Sequence, residues 1–90
     1  MRFEWAPGKA AETLAKHGVS FEEAATVFRD VLSATGTDPD HSVDEERFVT
    51  FGISTRGRLL AIAQTDRDDT IRIVSARPAT PSERKIYEEG

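Results

Sequence analysis

Three strand-forming segments follow one another between Phe48 and Ala76 with no room for a helix between them, and this stretch most constrains the fold. Val49, Phe51 and Ile53 alternate with Phe48, Thr50 and Gly52; Leu59 to Thr65 follows, and Thr70 to Ala76 forms a third segment. Such alternation is the period of a pleated strand. Thr55-Arg56-Gly57 is a three-residue hairpin loop ending in glycine, and Asp66-Arg67-Asp68-Asp69 makes a turn. Strands joined this tightly pair antiparallel, so a meander is expected.

Helical signals flank the meander. Phe3 and Trp5 alternate with Arg2 and Glu4 as a short strand before Pro7-Gly8 breaks the chain. Ala10, Ala11 and Leu14 then supply helical spacing as far as Lys16-His17, with Gly18 as the stop. With Pro7 at its first position, this helix is capped by Ala6, which has no side-chain acceptor. A second helix is better marked: Ser20 and Glu23 form a capping box, Val19 and Ala24 a staple, and Phe21, Ala24, Ala25 and Phe28 one apolar stripe. An extra strand is expected near Val31-Leu32, whereas Ala34 to Asp40 reads as a loose connection. A C-terminal helix opens with a second capping box, Thr80 with Glu83 around Pro81, and Ile86 and Tyr87 would anchor it. The order β-α-α-β-β-β-α predicts one α+β domain over residues 1–90, with helices packed on one face of a small, mostly antiparallel sheet.

The longest apolar run, Leu59 to Ala63, is far short of the ~20 residues that span a bilayer, and the N-terminus lacks the apolar core of a signal peptide. Zero cysteines exclude disulfides and thiolate metal sites. A soluble, cytoplasmic domain away from the membrane and without a structural metal is expected. The net charge of −4 argues against a general polyanion binder, yet its distribution is uneven. Asp38, Asp40, Asp44, Glu45 and Glu46 face Arg47 alone between residues 31 and 50, while residues 56–77 hold five Arg, three Asp and no Lys. Arginine's planar fork suits phosphate or carboxylate, so a local anion site is compatible with an acidic chain.

Each candidate group has two readings. His17, at a helix end, is a general acid or phosphate ligand, or else a cap for the last carbonyls. Asp38-Pro39-Asp40-His41 offers metal ligands, or is simply a polar loop. Glu45 and Glu46 point to opposite sides at the head of a strand, so that one of them could serve as a base beside a cleft. The period of two places Arg77 with Ile71, Ile73 and Ser75, at the edge of an apolar face where it must find an anion or solvent. Arg58 opens the neighbouring strand, and the two arginines either clamp one phosphate or pair with Glu45 or Glu46.

The blocks Phe3-Glu4-Trp5, Lys9, Lys16 to Ala24, Val27-Phe28, Asp30, His41-Ser42, Glu45 to Phe48, Gly52 to Ser54, Gly57 to Leu60, Ile71 to Thr80, Glu83-Arg84 and Tyr87-Glu88 resemble, in order, the BrnT toxins of bacterial type II toxin–antitoxin pairs. The resemblance implies a RelE-like ribonuclease that inhibits growth by cutting RNA without a cofactor. It also implies a BrnA-type antitoxin with a ribbon-helix-helix part, through which the complex binds operator DNA. Lys9, His17, Glu46, Arg47, Arg58 and Arg77 occupy the family's recurrent polar positions. On that basis Arg77 and Arg58 would clamp the phosphate, Glu46 would be the base, and His17 or Lys9 the acid or a phosphate ligand; Arg47 and Trp5 would contact RNA. Ala6 and Thr13 depart from the family's usual Asp and Asn. The alternative is a catalytically weak interaction module that binds its antitoxin and tunes repression.

Overall fold

The computed structural model describes residues 1–38 and 46–90. In chain order the elements are β1 (Arg2–Glu4), α1 (Pro7–His17), α2 (Phe21–Thr26) continued by a 3-10 turn (Val27–Arg29), β2 (Ala34–Thr37), β3 (Arg47–Ile53), β4 (Leu59–Arg67), β5 (Thr70–Pro78) and α3 (Pro81–Glu89). They build one sheet in the order β1-β5-β4-β3-β2. The meander β3-β4-β5 is antiparallel as expected, β2 adds antiparallel to β3, and β1 lies parallel to β5.

Local chemistry accounts for most boundaries. Gly57, at φ 80°, closes the first hairpin and donates to the Ser54 carbonyl at 2.9 Å. Asp68, at φ 55°, makes the second turn in the left-handed region that aspartate tolerates. Gly18 ends α1 at φ 69°, its N–H bonded to the Leu14 carbonyl, while Ala6 gives that helix no side-chain cap.

The extra strand is present, displaced from its expected place. Val31 and Leu32 form an exposed turn, and the segment expected to be loose supplies β2. Asp30 causes the shift: its carboxylate accepts the N–H groups of Leu32 and Ile53, both at 2.9 Å, which bends the chain back onto β3. β2 is then held by its ladder and by a hydroxyl contact of 2.8 Å between Thr35 and Thr50, not by apolar alternation.

One face of the sheet carries the core. Val19, Phe21, Ala24 and Val27 from the helical side meet Leu60, Ile62, Ile71, Ile73 and Ala76. In α1 the inward residues are Ala10 and buried Thr13; Leu14, expected inside, is 52% exposed. Small side chains at those positions let α1 lie directly against β5. Gly52 has a similar role under the helical layer, since a Cβ there would meet Val27 Cγ1 at 2.7 Å.

The expectation of all helices on one face is not met. Phe51, Ala61 and Arg77 form a row across β3, β4 and β5 on the face opposite the core, and Arg77 holds Glu83 of α3 there. Tyr87 anchors α3 by donating its hydroxyl to Asp30 at 2.7 Å, whereas Ile86 is 51% exposed and anchors nothing.

Candidate functional site

A β-bulge decides what the open face presents. Ser75 pairs with Ala63 but Ile73 pairs with Gln64, leaving Val74 as the extra residue. Ile71 and Ile73 are buried before the bulge and Ala76 after it, so the alternation changes phase. Arg77 therefore leaves the side of Ile71 and Ile73, where strict alternation had placed it, and joins Ser75 on the open face. Bulges beside functional sites commonly re-aim a side chain in this way.

On that face a groove has a floor of small residues, Ala61, Ala63 and Ser75, with Val49 beside them. Arg47, Arg77 and Asp38 form its walls. Asp38 extends the β2–β3 ladder by one bond, its N–H donating to the Arg47 carbonyl at 2.8 Å, which fixes it beside that arginine. Past the bulge, a second depression shares Arg47 and adds Lys9, Thr65 and Arg72. Lys9, Arg47 and Arg77 are thus brought to one connected surface, and Arg72 joins them unforeseen. The signal for Arg72 was its register opposite Thr65, which a sequence without pairing partners does not reveal.

Arg77 has the anion that its position demanded, and the anion is Glu83. The guanidinium donates to both carboxylate oxygens, at 2.6 and 2.7 Å. The same carboxylate accepts the Thr80 N–H at 2.9 Å, and the Thr80 hydroxyl accepts the Glu83 N–H, so the capping box is complete. Chiefly because of Arg77, the Glu83 carboxyl is pulled down to about 2, and Arg77 is raised in return.

Arg58 belongs to a different site. It donates through Nε and Nη2 to Glu23, whose side chain is 4% exposed, and through Nη2 to the Gly18 carbonyl at 3.0 Å. Ser54 adds a hydroxyl donor to Glu23 at 2.7 Å. Arg58, then Ser54, hold the Glu23 carboxyl below the usual range against the effect of burial. The first capping box is consequently half formed: Ser20 accepts the Glu23 N–H, but the Glu23 side chain turns to Arg58 instead of back to the cap. Arg58 and Arg77 lie on opposite faces of the sheet, so they do not clamp one phosphate. Their partners are the two capping-box glutamates, not Glu46; Glu45 lies outside the described residues.

The other expected site residues fall away from the groove. His17 ends α1 next to Gly18 and Arg58, about 12 Å of helical rise from Lys9. Glu46 is exposed just ahead of β3, and alternation sends it away from the face that Arg47 enters. Trp5 packs edge-on to Phe21, with centroids 5.8 Å apart, as part of the hydrophobic layer. Of the suggested metal loop only Asp38 is described; Pro39, Asp40 and His41 lie outside the described residues. Among the described residues no cluster of three His, Cys, Asp or Glu could hold a metal, and no helix is long and apolar enough to cross a membrane.

The groove brings two arginines and a carboxylate together, and a phosphate there would have to draw Arg77 away from Glu83. The crystal structure of the Brucella abortus ribonuclease toxin, BrnT, is similar in fold: it superposes with a TM-score of 0.65 at 22% identity, over 89% of this chain and 97% of that one. No curated protein sequence matches the chain. Residues 5–83 match the family model described as the ribonuclease toxin, BrnT, of type II toxin–antitoxin systems. With most of its length inside that match, the chain belongs to the BrnT family of type II toxins.

Proposed function

We propose that this chain, as one domain of RelE-like ancestry, is a metal-independent endoribonuclease that acts in the cytoplasm and inhibits growth by cutting RNA. The observation that carries the reading is the convergence of Arg47 and Arg77 over a small-residue floor, continued by Lys9 and Arg72, on an otherwise acidic chain. Arginine forks stabilise the charge that develops on a phosphorane when RNA is cut by its own 2′-hydroxyl. Lys9 is the nearby ammonium suited to protonating the departing 5′-oxygen or to holding a flanking phosphate. Arg58, bound to Glu23 beneath the opposite face, is a structural clasp and not a phosphate ligand.

Arg77 must exchange Glu83 for the substrate phosphate, so binding at the groove competes with an intramolecular pair. That competition favours, as a second reading, a weakly catalytic module whose main work is antitoxin binding. A BrnA-type ribbon-helix-helix antitoxin would neutralise the enzyme by covering the groove and would carry the complex to operator DNA. Exposed ion pairs contribute only ~0–1 kcal/mol each, so such a partner needs an apolar anchor as well.

The test is cleavage of a defined RNA by the purified chain, read together with Arg77→Ala and Glu83→Gln. Cleavage that Arg77→Ala abolishes and Glu83→Gln retains supports the enzyme reading. A wild-type chain that binds antitoxin but leaves RNA intact favours the interaction module.

A further inference from the structure

We propose that Asp38 is the general base of the RNA-cleaving site, a deepening that rests on the ribonuclease reading above. Metal-free cleavage requires a group that takes the 2′-hydroxyl proton within reach of the bound phosphate. Among the described carboxylates, Asp38 and Glu83 line the open-face groove together with Arg77. Of the two, Asp38 lines the part of the groove where Arg47 and Arg77 meet, whereas Glu83 does not and stays tied to the α3 cap through the Thr80 N–H when Arg77 turns to the phosphate. Glu46 is exposed just ahead of β3 and lines neither part of this groove.

Asp38 differs from both in how it is placed. It is half-buried, and it lines both parts of the groove that Arg77 borders. Its backbone is fixed by the bond from its N–H to the Arg47 carbonyl, in the register that sends it to the same face as Val49 and Arg47. A phosphate held between Arg47 and Arg77 therefore has Asp38 along the wall of the same groove. Asp38 follows directly on β2, which exists because Asp30 turns the chain, so the base is positioned by an element whose strand character the sequence does not reveal.

In the step itself, the Asp38 carboxylate takes the proton from the 2′-hydroxyl, and the freed electron pair forms the bond from O2′ to phosphorus. The bond from phosphorus to O5′ breaks, and its electron pair stays on O5′, which receives a proton from Lys9 or from water. The products are a 2′,3′-cyclic phosphate and a 5′-hydroxyl end; Asp38 returns its proton to solvent, and no oxidant, metal or further reactant is consumed.

The experiment compares wild type, Asp38→Asn and Asp38→Ala on one short RNA, with kcat and KM measured separately and each fold checked by circular dichroism. General-base catalysis typically contributes on the order of 10²–10⁴-fold, so Asp38→Asn should lose that much in kcat with KM changed less than about threefold. Added formate should restore part of the Asp38→Ala rate, a response that a merely structural aspartate does not give. A kcat within about threefold of wild type, a loss confined to KM, or no rescue by formate overturns the assignment to Asp38. A folded wild-type chain that never cuts RNA overturns the underlying ribonuclease reading instead, and this separates the two failures.

Discussion

Glu23 and Glu83 occupy the same place in two helices, third after a Ser or Thr cap, and each meets an arginine from the sheet. Both carboxyls sit below their ordinary value in the folded chain, Glu83 at about 2 against 4.5. A depressed folded value means that the stabilisation is complete above the unfolded pKa and is lost as pH falls through the folded one. Resistance to urea should therefore hold from neutral pH to about 4.5 and drop steeply towards pH 2, and Glu83→Gln should flatten part of that slope. An unchanged slope in that variant contradicts the account of the pair. Gly52 provides a separate check in the core: a Cβ at 2.7 Å from the side chain of buried Val27 must be relieved by a shift of that side chain or of the backbone, so Gly52→Ala should cost about 1–3 kcal/mol in chemical denaturation. A variant of wild-type stability would show that β3 does not approach the helical layer so closely.

Among the elements, α1 is the one whose start is unsupported. Ala6 has extended backbone geometry ready for a cap but no acceptor, so Ala6→Asp should stabilise the fold by about 1 kcal/mol, measured as an upward shift in Tm. The caps, the glycine stops and the meander were legible in the sequence because each is written in residues a few positions apart. β2 was not legible: Ala34 to Thr37 has no apolar alternation, and its strand character comes from the Asp30 turn and from pairing with β3. The side that Arg77 takes is hidden in the sequence for a similar reason, since the bulge at Val74 appears only when β4 is laid beside β5. Lys9, Arg47 and Arg77 stand out in the sequence and line one connected surface, while Arg58 and His17 share with them polarity but not a face. Both glutamates stand out in the sequence as capping-box residues, but only Glu83 closes its box, and the arginine partners of both are visible only in three dimensions.

Across the whole molecule, the two faces of the sheet divide the labour. One is sealed by α1 and α2 and fastened by the clasp of Glu23, Ser54 and Arg58; the other exposes cations over small residues. An antitoxin that silences the open face should compete with a non-cleavable RNA. Its affinity should weaken only modestly with salt, because apolar contacts must supply most of the roughly 12 kcal/mol that nanomolar binding requires. Leu32 and Ile53, which line one depression, and Val31 beside them are the exposed apolar residues whose replacement by Ser should weaken antitoxin binding if they supply that anchor. Simultaneous binding of RNA and antitoxin without interference would contradict inhibition by covering. The most direct measurement of the central claim, that the open face cuts RNA without a metal, is cleavage in excess chelator by wild type, Arg58→Ala and Arg77→Ala, at a temperature where all three remain folded. Wild type and Arg58→Ala should cut at similar rates while Arg77→Ala does not; loss of cleavage on chelation, or an Arg77→Ala chain that cuts like wild type, would contradict it.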